Sequence, residues 1–252
     1  MNVLLGTPRS PKLPAALTAL LLASLSLGCA GPLPGSGAKP RTPEATPKAP
    51  TARQPAAVMS YHSADWLDRP GREELEKPDV VLAAMELRPG QVVAEIGAGT
   101  GFFSRRIAKA VGPTGKVLAN DIQPEMLELL KKNAARDGLT NVVPTLGSET
   151  DPKLPPGGVD RILLVDVYHE FQKPQEMLDK IKEALAPGGT VTLVEYRGEG
   201  TTASHINKEH RMTSEQVLGE WQPAGFLLLN QIETLPSQHV FVFSGKRGAR
   251  PR

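Results

Sequence analysis

Apolar and polar positions along residues 92–243 follow two alternating periods. Short apolar runs rich in β-branched residues, at 92–96, 116–120, 142–146, 160–165 and 190–195, have the length of strands. Residues 102–111, 124–136 and 174–185 instead repeat apolar side chains at helical spacing, with Met177, Leu178, Ile181 and Leu185 on one side of the last. The run 160–165 is nearly continuous, as a strand covered on both faces requires. Turn residues separate the elements at Arg88-Pro89-Gly90, at Gly112-Pro113-Thr114-Gly115 and at Pro187-Gly188-Gly189, and a Pro/Gly-rich connection follows residue 146. Strands alternating with helices predict an α/β fold, a parallel sheet with helices on both faces. Residues 214–221 read as a further helix, and 225–229 and 240–243 as two more strands, the last of which ends the sheet. Ahead of the sheet, residues 61–87 read as short helices, one with Pro78 in its first turn and Val81, Leu82 and Met85 as its apolar face.

Composition divides the chain of 252 residues into four parts. Residues 32–55 are dominated by Pro, Ala, Thr, Gly and Lys, too poor in large apolar side chains to offset the entropy of ordering them. This predicts a disordered linker over 30–57, a folded domain over 58–243 and a basic tail over 244–252. Charge follows the same division. Residues 1–57 carry six Lys/Arg and one Glu, and the tail carries four Lys/Arg. The folded part holds 19 Lys/Arg against 26 Asp/Glu, a net −7. A nucleic-acid-binding domain carries the opposite sign, so no nucleic-acid partner is expected.

The first 29 residues have the pattern of an export leader: Arg9 and Lys12, an apolar run from Leu13 to Leu27, then Gly28-Cys29-Ala30. Cys29 is the only cysteine, which excludes an internal disulfide and a cysteine-based metal cluster. Its position resembles the lipid-attachment cysteine of bacterial lipoproteins, although Ser26 stands where that family prefers an aliphatic residue. The resemblance implies membrane attachment through a lipidated Cys29 and a location in the cell envelope if the leader is used, and in the cytoplasm otherwise.

The chemistry concentrates around Glu95-Ile96-Gly97-Ala98-Gly99-Thr100-Gly101-Phe102, where a strand meets a helix through closely spaced glycines. Such a turn brings a ligand close to the backbone and to the unpaired N–H groups of the helix start. In an open parallel sheet, ligands sit at the carboxyl ends of the strands. That selects Glu95 and the glycines, Asp121, the segment Gly147-Ser148-Glu149, and the segment from Asp166 to Phe171. Asp121 lies twenty residues past Gly101, where an acid can accept from both hydroxyls of a ribose. The dinucleotide fingerprint needs a third glycine where Phe102 stands, which argues against an NAD(P)-dependent oxidoreductase.

The pattern G-x-G-x-G with Glu95 ahead of it resembles the cofactor site of class I S-adenosylmethionine-dependent methyltransferases. Asn120-Asp121-Ile122-Gln123-Pro124-Glu125-Met126, Leu185-Ala186-Pro187-Gly188-Gly189 and Ala224-Gly225-Phe226 are similar to further motifs of that family in the same order. The likeness is greatest to small-molecule enzymes of the ubiquinone/menaquinone-biosynthesis kind. It implies a doubly wound, seven-stranded, mostly parallel Rossmann-like sheet with its last strand antiparallel, S-adenosylmethionine as cofactor, and a small-molecule methyl acceptor. By the same resemblance Glu95, Gly97, Ala98 and Gly99 border the methionine moiety, Asp121 the ribose, Ser148 and Glu149 the adenine, and Asp166 the amino group. Gly101 and Ile122 complete the cofactor set. Ser148 departs from the family, many members of which carry Asp there.

A sulfonium methyl group needs an aligned nucleophile, and a base only where the acceptor must lose a proton. His169 is the candidate base, and Tyr168 the candidate to face the sulfonium or the acceptor. His205, Glu209, His210 and Glu170 lack the spacing of an H-E-x-x-H site, so no metal is expected. The loop holding His205 and His210 reads as acceptor-binding or as solvated surface, and Tyr61, His62 and Trp66 as a lid or as packing at the sheet edge. Because the leader points to export, a non-catalytic, envelope-anchored nucleoside-binding module is the alternative to an enzyme.

Overall fold

The structure, a computed structural model, describes residues 53–245. The leader, Cys29, residues 30–52 of the linker and the tail from residue 246 lie outside the described residues. Five strands, β1 (Val92–Ile96), β2 (Lys116–Asp121), β3 (Val142–Leu146), β4 (Val159–Val165) and β5 (Leu185–Tyr196), pair in parallel. With β6 (Leu227–Ile232) and β7 (Gln238–Ser244) they form one sheet in the order β3-β2-β1-β4-β5-β7-β6. β7 is antiparallel to both of its neighbours.

Alternation of side chains along the strands builds a core on each face. On one face Ile162 and Leu164 of β4 pack with α5 (Pro174–Ala184) and α6 (Ser214–Trp221), where Trp221 stacks on Phe243 at 4.7 Å. On the other, Leu163 packs with α2 (Pro78–Met85) and α3 (Phe102–Val111). α4 (Pro124–Arg136) lies over β2 and β3. A 3₁₀ stretch at Tyr61–Asp68 and the short α1 (Arg72–Glu76) precede α2.

The expectation that the last strand ends the sheet is corrected. β7 is inserted between β5 and β6, and β6 is the edge. Every residue of β7 is buried, whereas Leu227 and Leu229 of β6 are exposed, so the more apolar strand takes the interior place. The Gly225 end of the expected sixth strand is a turn at φ +93°, and the strand starts two residues later. At the N-terminal side, Arg53 and Ala56 are bonded to the domain ahead of residue 58: Arg53 reaches the carbonyls of Tyr168 and His169 and the carboxylate of Glu220. No helix among the described residues is long and apolar enough to cross a membrane.

Candidate active site

The strand order reverses between β1 and β4, and the loops leaving their carboxyl ends diverge there. A cavity of about 560 Å³ opens at that crevice. On the β1–β3 side it is lined by Gly97, Gly99, Asp121, Ile122, Ser148 and Glu149, and on the β4–β5 side by Asp166, His169, Glu170, Tyr196, His205 and His210. Gly97 and Gly99 hold φ of +74° and +52°, a region that strongly favours glycine. Space adds a second reason. A Cβ on Gly97 would lie 2.5 Å from Val167, and one on Gly99 would lie 2.5 Å from Leu67.

Asp121 is the anchor of this turn. Its Oδ2 accepts from the Gly99 N–H at 2.9 Å and its Oδ1 from the Gln123 N–H at 2.9 Å, tying the end of β2 to the glycine loop. Burial holds the carboxyl above its ordinary pKa, and those amide bonds oppose the rise. Asp166 sits in the left-handed region at φ +50°, and Gln238 Nε2 donates to its Oδ2 at 2.7 Å. Its Oδ1 is buried with no partner among the described residues. Burial first, and then the carboxylates of Glu76 and Glu195, raise its pKa well above the ordinary range.

Three members of the expected cofactor set do not line the cavity. Glu95 points to the helix side of the sheet, where Ser104 Oγ donates to it beneath α3, and burial pushes its pKa up to about 7. Ile96, the next residue, takes the cavity side, as strand alternation demands. Ala98 contributes a backbone bond to the Asn120 carbonyl, and Gly101 is packed against Leu130. Phe102, in the place of a dinucleotide-type glycine, is flanked by the guanidinium groups of Arg72 and Arg106 at 4.1 and 3.9 Å.

Tyr168 is a correction of a different kind. It is fully buried, its ring packs on Phe171 and Trp221, and its hydroxyl donates to Glu220 at 2.7 Å. Residues Tyr168–Glu170 form a single 3₁₀ turn, in which neighbours project about 120° apart. Tyr168 therefore enters the core while His169 turns to the cavity. Burial acts against an imidazolium at His169, but the carboxylates of Glu195, Asp166 and Glu170 together outweigh it and the pKa rises. Glu195, wholly buried at the end of β5, meets His169 Nδ1 at 2.7 Å and accepts from the Tyr168 N–H at 2.8 Å. His169 Nε2 faces His210 Nδ1 at 3.0 Å. Glu170 joins the pair, with one ligand atom from each of the three residues inside 4.8 Å. Burial pushes the Glu170 carboxyl up to about 7.

Sequence reasoning missed Glu195, Gln238 and Arg53. The first had a readable signal, an acid at the carboxyl end of a parallel strand. Of the three residues read as a lid or as packing at the sheet edge, Trp66 lines the cavity, with Arg69 stacked 3.9 Å over its ring, and Tyr61 and His62 stand outside the lining.

A nucleoside joined to an amino acid needs acceptors for ribose hydroxyls and for an ammonium group. Asp121 beside the glycine turn and the unpartnered Asp166 Oδ1 fit both demands. A family model described as a methyltransferase domain matches residues 87–236. A ubiquinone/menaquinone biosynthesis C-methyltransferase of Cupriavidus metallidurans is 29% identical over 115 residues, 46% of this chain and 47% of that protein. A protein-L-isoaspartate O-methyltransferase of Methanothrix thermoacetophila is 28% identical over 135 residues, 54% of this chain and 61% of its own length. The chain thus spans about half to three fifths of these curated relatives. The crystal structure of a SAM dependent methyltransferase from Aquifex aeolicus superposes with a TM-score of 0.69 at 26% identity, covering 73% of this chain and 98% of that one. The family match covers more than half of the chain, which therefore belongs to the methyltransferase domain family and is a class I enzyme with S-adenosylmethionine as its cofactor.

Proposed function

We propose that the enzyme methylates a small-molecule acceptor held on the β4–β5 side of the cavity. One observation carries the reading: the glycine turn with Asp121 and the His169–His210 pair line the same chamber. Its volume of about 560 Å³ lies within the roughly 300–1,000 Å³ of small-molecule sites. Asp121 accepts from the ribose, Ser148 and Glu149 flank the adenine with Ile122 beside them, and Asp166 Oδ1 accepts from the amino group. Bound S-adenosylmethionine supplies a methyl group on a positively charged sulfur. His169 and His210 meet the reacting group of the acceptor and fix its line of approach. Alignment of this kind contributes about 7–11 kcal/mol in favourable systems.

Incubation with methyl-labelled cofactor and a cell extract split by ultrafiltration tests the acceptor class. Label is expected in the low-mass fraction, and label confined to macromolecules would overturn the reading.

The reading extends to the address of the enzyme. Residues 1–29 act as an export leader, Cys29 carries a lipid, and residues 30–52 tether the domain to the cell envelope. The support is the basic, apolar and Gly-Cys-Ala succession of the first thirty residues. Mass measurement of the mature N-terminus from fractionated cells is expected to find a diacylglyceryl group on Cys29 in the membrane fraction. An intact Met1 in the soluble fraction would end this proposal.

A further inference from the structure

We propose that His169, Glu170 and His210 form a divalent-metal site, zinc by its ligand chemistry, on the β4–β5 side of the cavity. Two ring nitrogens facing each other at 3.0 Å need either a hydrogen carried by one of them, as in an N–H···N bond, or a metal ion between them. Two nitrogens bound to one tetrahedral zinc at 2.0–2.1 Å stand about 3.3 Å apart, a few tenths beyond the separation here. A third donor stands nearby: Glu170 offers a carboxylate oxygen inside 4.8 Å of a ring nitrogen of each histidine, and its Oε1 accepts from the Met59 N–H. Two imidazoles and a carboxylate form a recurring catalytic zinc set, in which the fourth position stays open.

The surroundings point the same way. A metal-bound histidine characteristically gives its other nitrogen to a carboxylate, which fixes the ring and its tautomer. His169 Nδ1 does this with the buried Glu195 at 2.7 Å, leaving Nε2 to face the cluster. The wall of the cavity also carries five carboxylates, Glu76, Asp121, Glu149, Asp166 and Glu170, against Arg69 and Arg72. Both guanidinium groups are already paired with Glu76, and an added cation would hold the other carboxyl groups ionised against their burial.

The role of the ion rests on the methyl-transfer reading above; the site itself does not. A hydroxyl or thiol of the acceptor becomes the fourth ligand, and its proton leaves to solvent because the ion lowers its pKa. The bond from that oxygen or sulfur to the methyl carbon forms as the carbon–sulfonium bond breaks, with the electron pair of the broken bond remaining on the cofactor sulfur. His169 is then a ligand instead of a free base.

The test uses the full chain without a histidine tag, stripped with chelator and titrated with Zn²⁺. One equivalent per chain is expected. His210→Ala and Glu170→Gln should each lower its affinity at least about tenfold, and Glu195→Gln by about 10–100-fold through the freed imidazole. Co²⁺ in place of Zn²⁺ should give the visible absorption of a four-coordinate site, and His210→Ala should remove it. No zinc uptake, or uptake unchanged in His210→Ala and Glu170→Gln, would overturn the site and leave the pair a proton relay. S-adenosylhomocysteine titrated into the zinc-free protein tests the cofactor reading separately, since binding there is expected without metal.

Discussion

Replacing Asp121 with alanine is expected to weaken S-adenosylhomocysteine binding by about two to four orders of magnitude. The carboxylate has two tasks that alanine cannot perform. It accepts from the N–H groups of Gly99 and Gln123 at 2.9 Å, and so holds the glycine turn against the end of β2. In the proposed complex it also accepts from the ribose hydroxyls, and hydrogen bonds to a charged group contribute about 1.5–3 kcal/mol each. Two such bonds give roughly 3–6 kcal/mol, which converts to about 10²–10⁴ in affinity. Asp121→Asn separates the tasks. Its amide oxygen can still accept a loop N–H, so the turn is largely retained, whereas the negative charge is gone. Its affinity should fall between those of wild type and Asp121→Ala. Calorimetric titration, with circular dichroism as the check on folding, measures the series. Unchanged affinity in a folded Asp121→Ala protein would remove the ribose assignment.

What the sequence made legible follows from what local pattern can encode. β4, in the middle of the sheet, is covered on both faces, so its run Ile162, Leu163 and Leu164 is apolar at every position and stands out without tertiary information. Cavity residues such as Asp121, Asp166 and His169 were found because a parallel sheet places its ligands at one end. The order of β6 and β7 was not found, because it depends on which strand the edge of β5 pairs with. The misreading of Tyr168 has a local cause. Two adjacent residues of a 3₁₀ turn cannot share a face, and only the packing around Trp221 decides which one turns inward.

The contacts that complete the site were out of reach for another reason. Glu195 meets a histidine 26 residues away, and His169 meets His210 across 41 residues. The loop holding His210 carries no apolar period from which its path could be read. Arg53 was assigned to a linker by the composition of its neighbours, yet its guanidinium holds the Tyr168 and His169 carbonyls. One charged side chain with three acceptors outweighs the low hydrophobicity of its surroundings.

Glu95→Gln is expected to stabilise the cofactor-free enzyme by about 3 kcal/mol at pH 8 and to have little effect at pH 5. Glu95 is buried beneath α3 with Ser104 Oγ donating to it, and burial raises its pKa from 4.5 to about 7. In the unfolded chain the carboxyl loses its proton above about pH 4.5, while in the folded chain it keeps it to about pH 7. Between those values the folded state binds more protons. The contribution of Glu95 to stability is therefore complete below about pH 4.5 and is lost as the pH rises through 7. A shift of about 2.5 units at 1.36 kcal/mol each gives the figure of roughly 3 kcal/mol. Glutamine has the shape of the protonated acid, still accepts from Ser104, and does not ionise. The difference between variant and wild type should accordingly grow across the window from pH 5 to 8. Urea denaturation at both values, followed through the fluorescence of the buried Trp221, supplies the comparison. A variant no more stable than wild type at pH 8 would mean that Glu95 ionises within the fold at little cost, with Arg72, the nearby positive charge, compensating its burial.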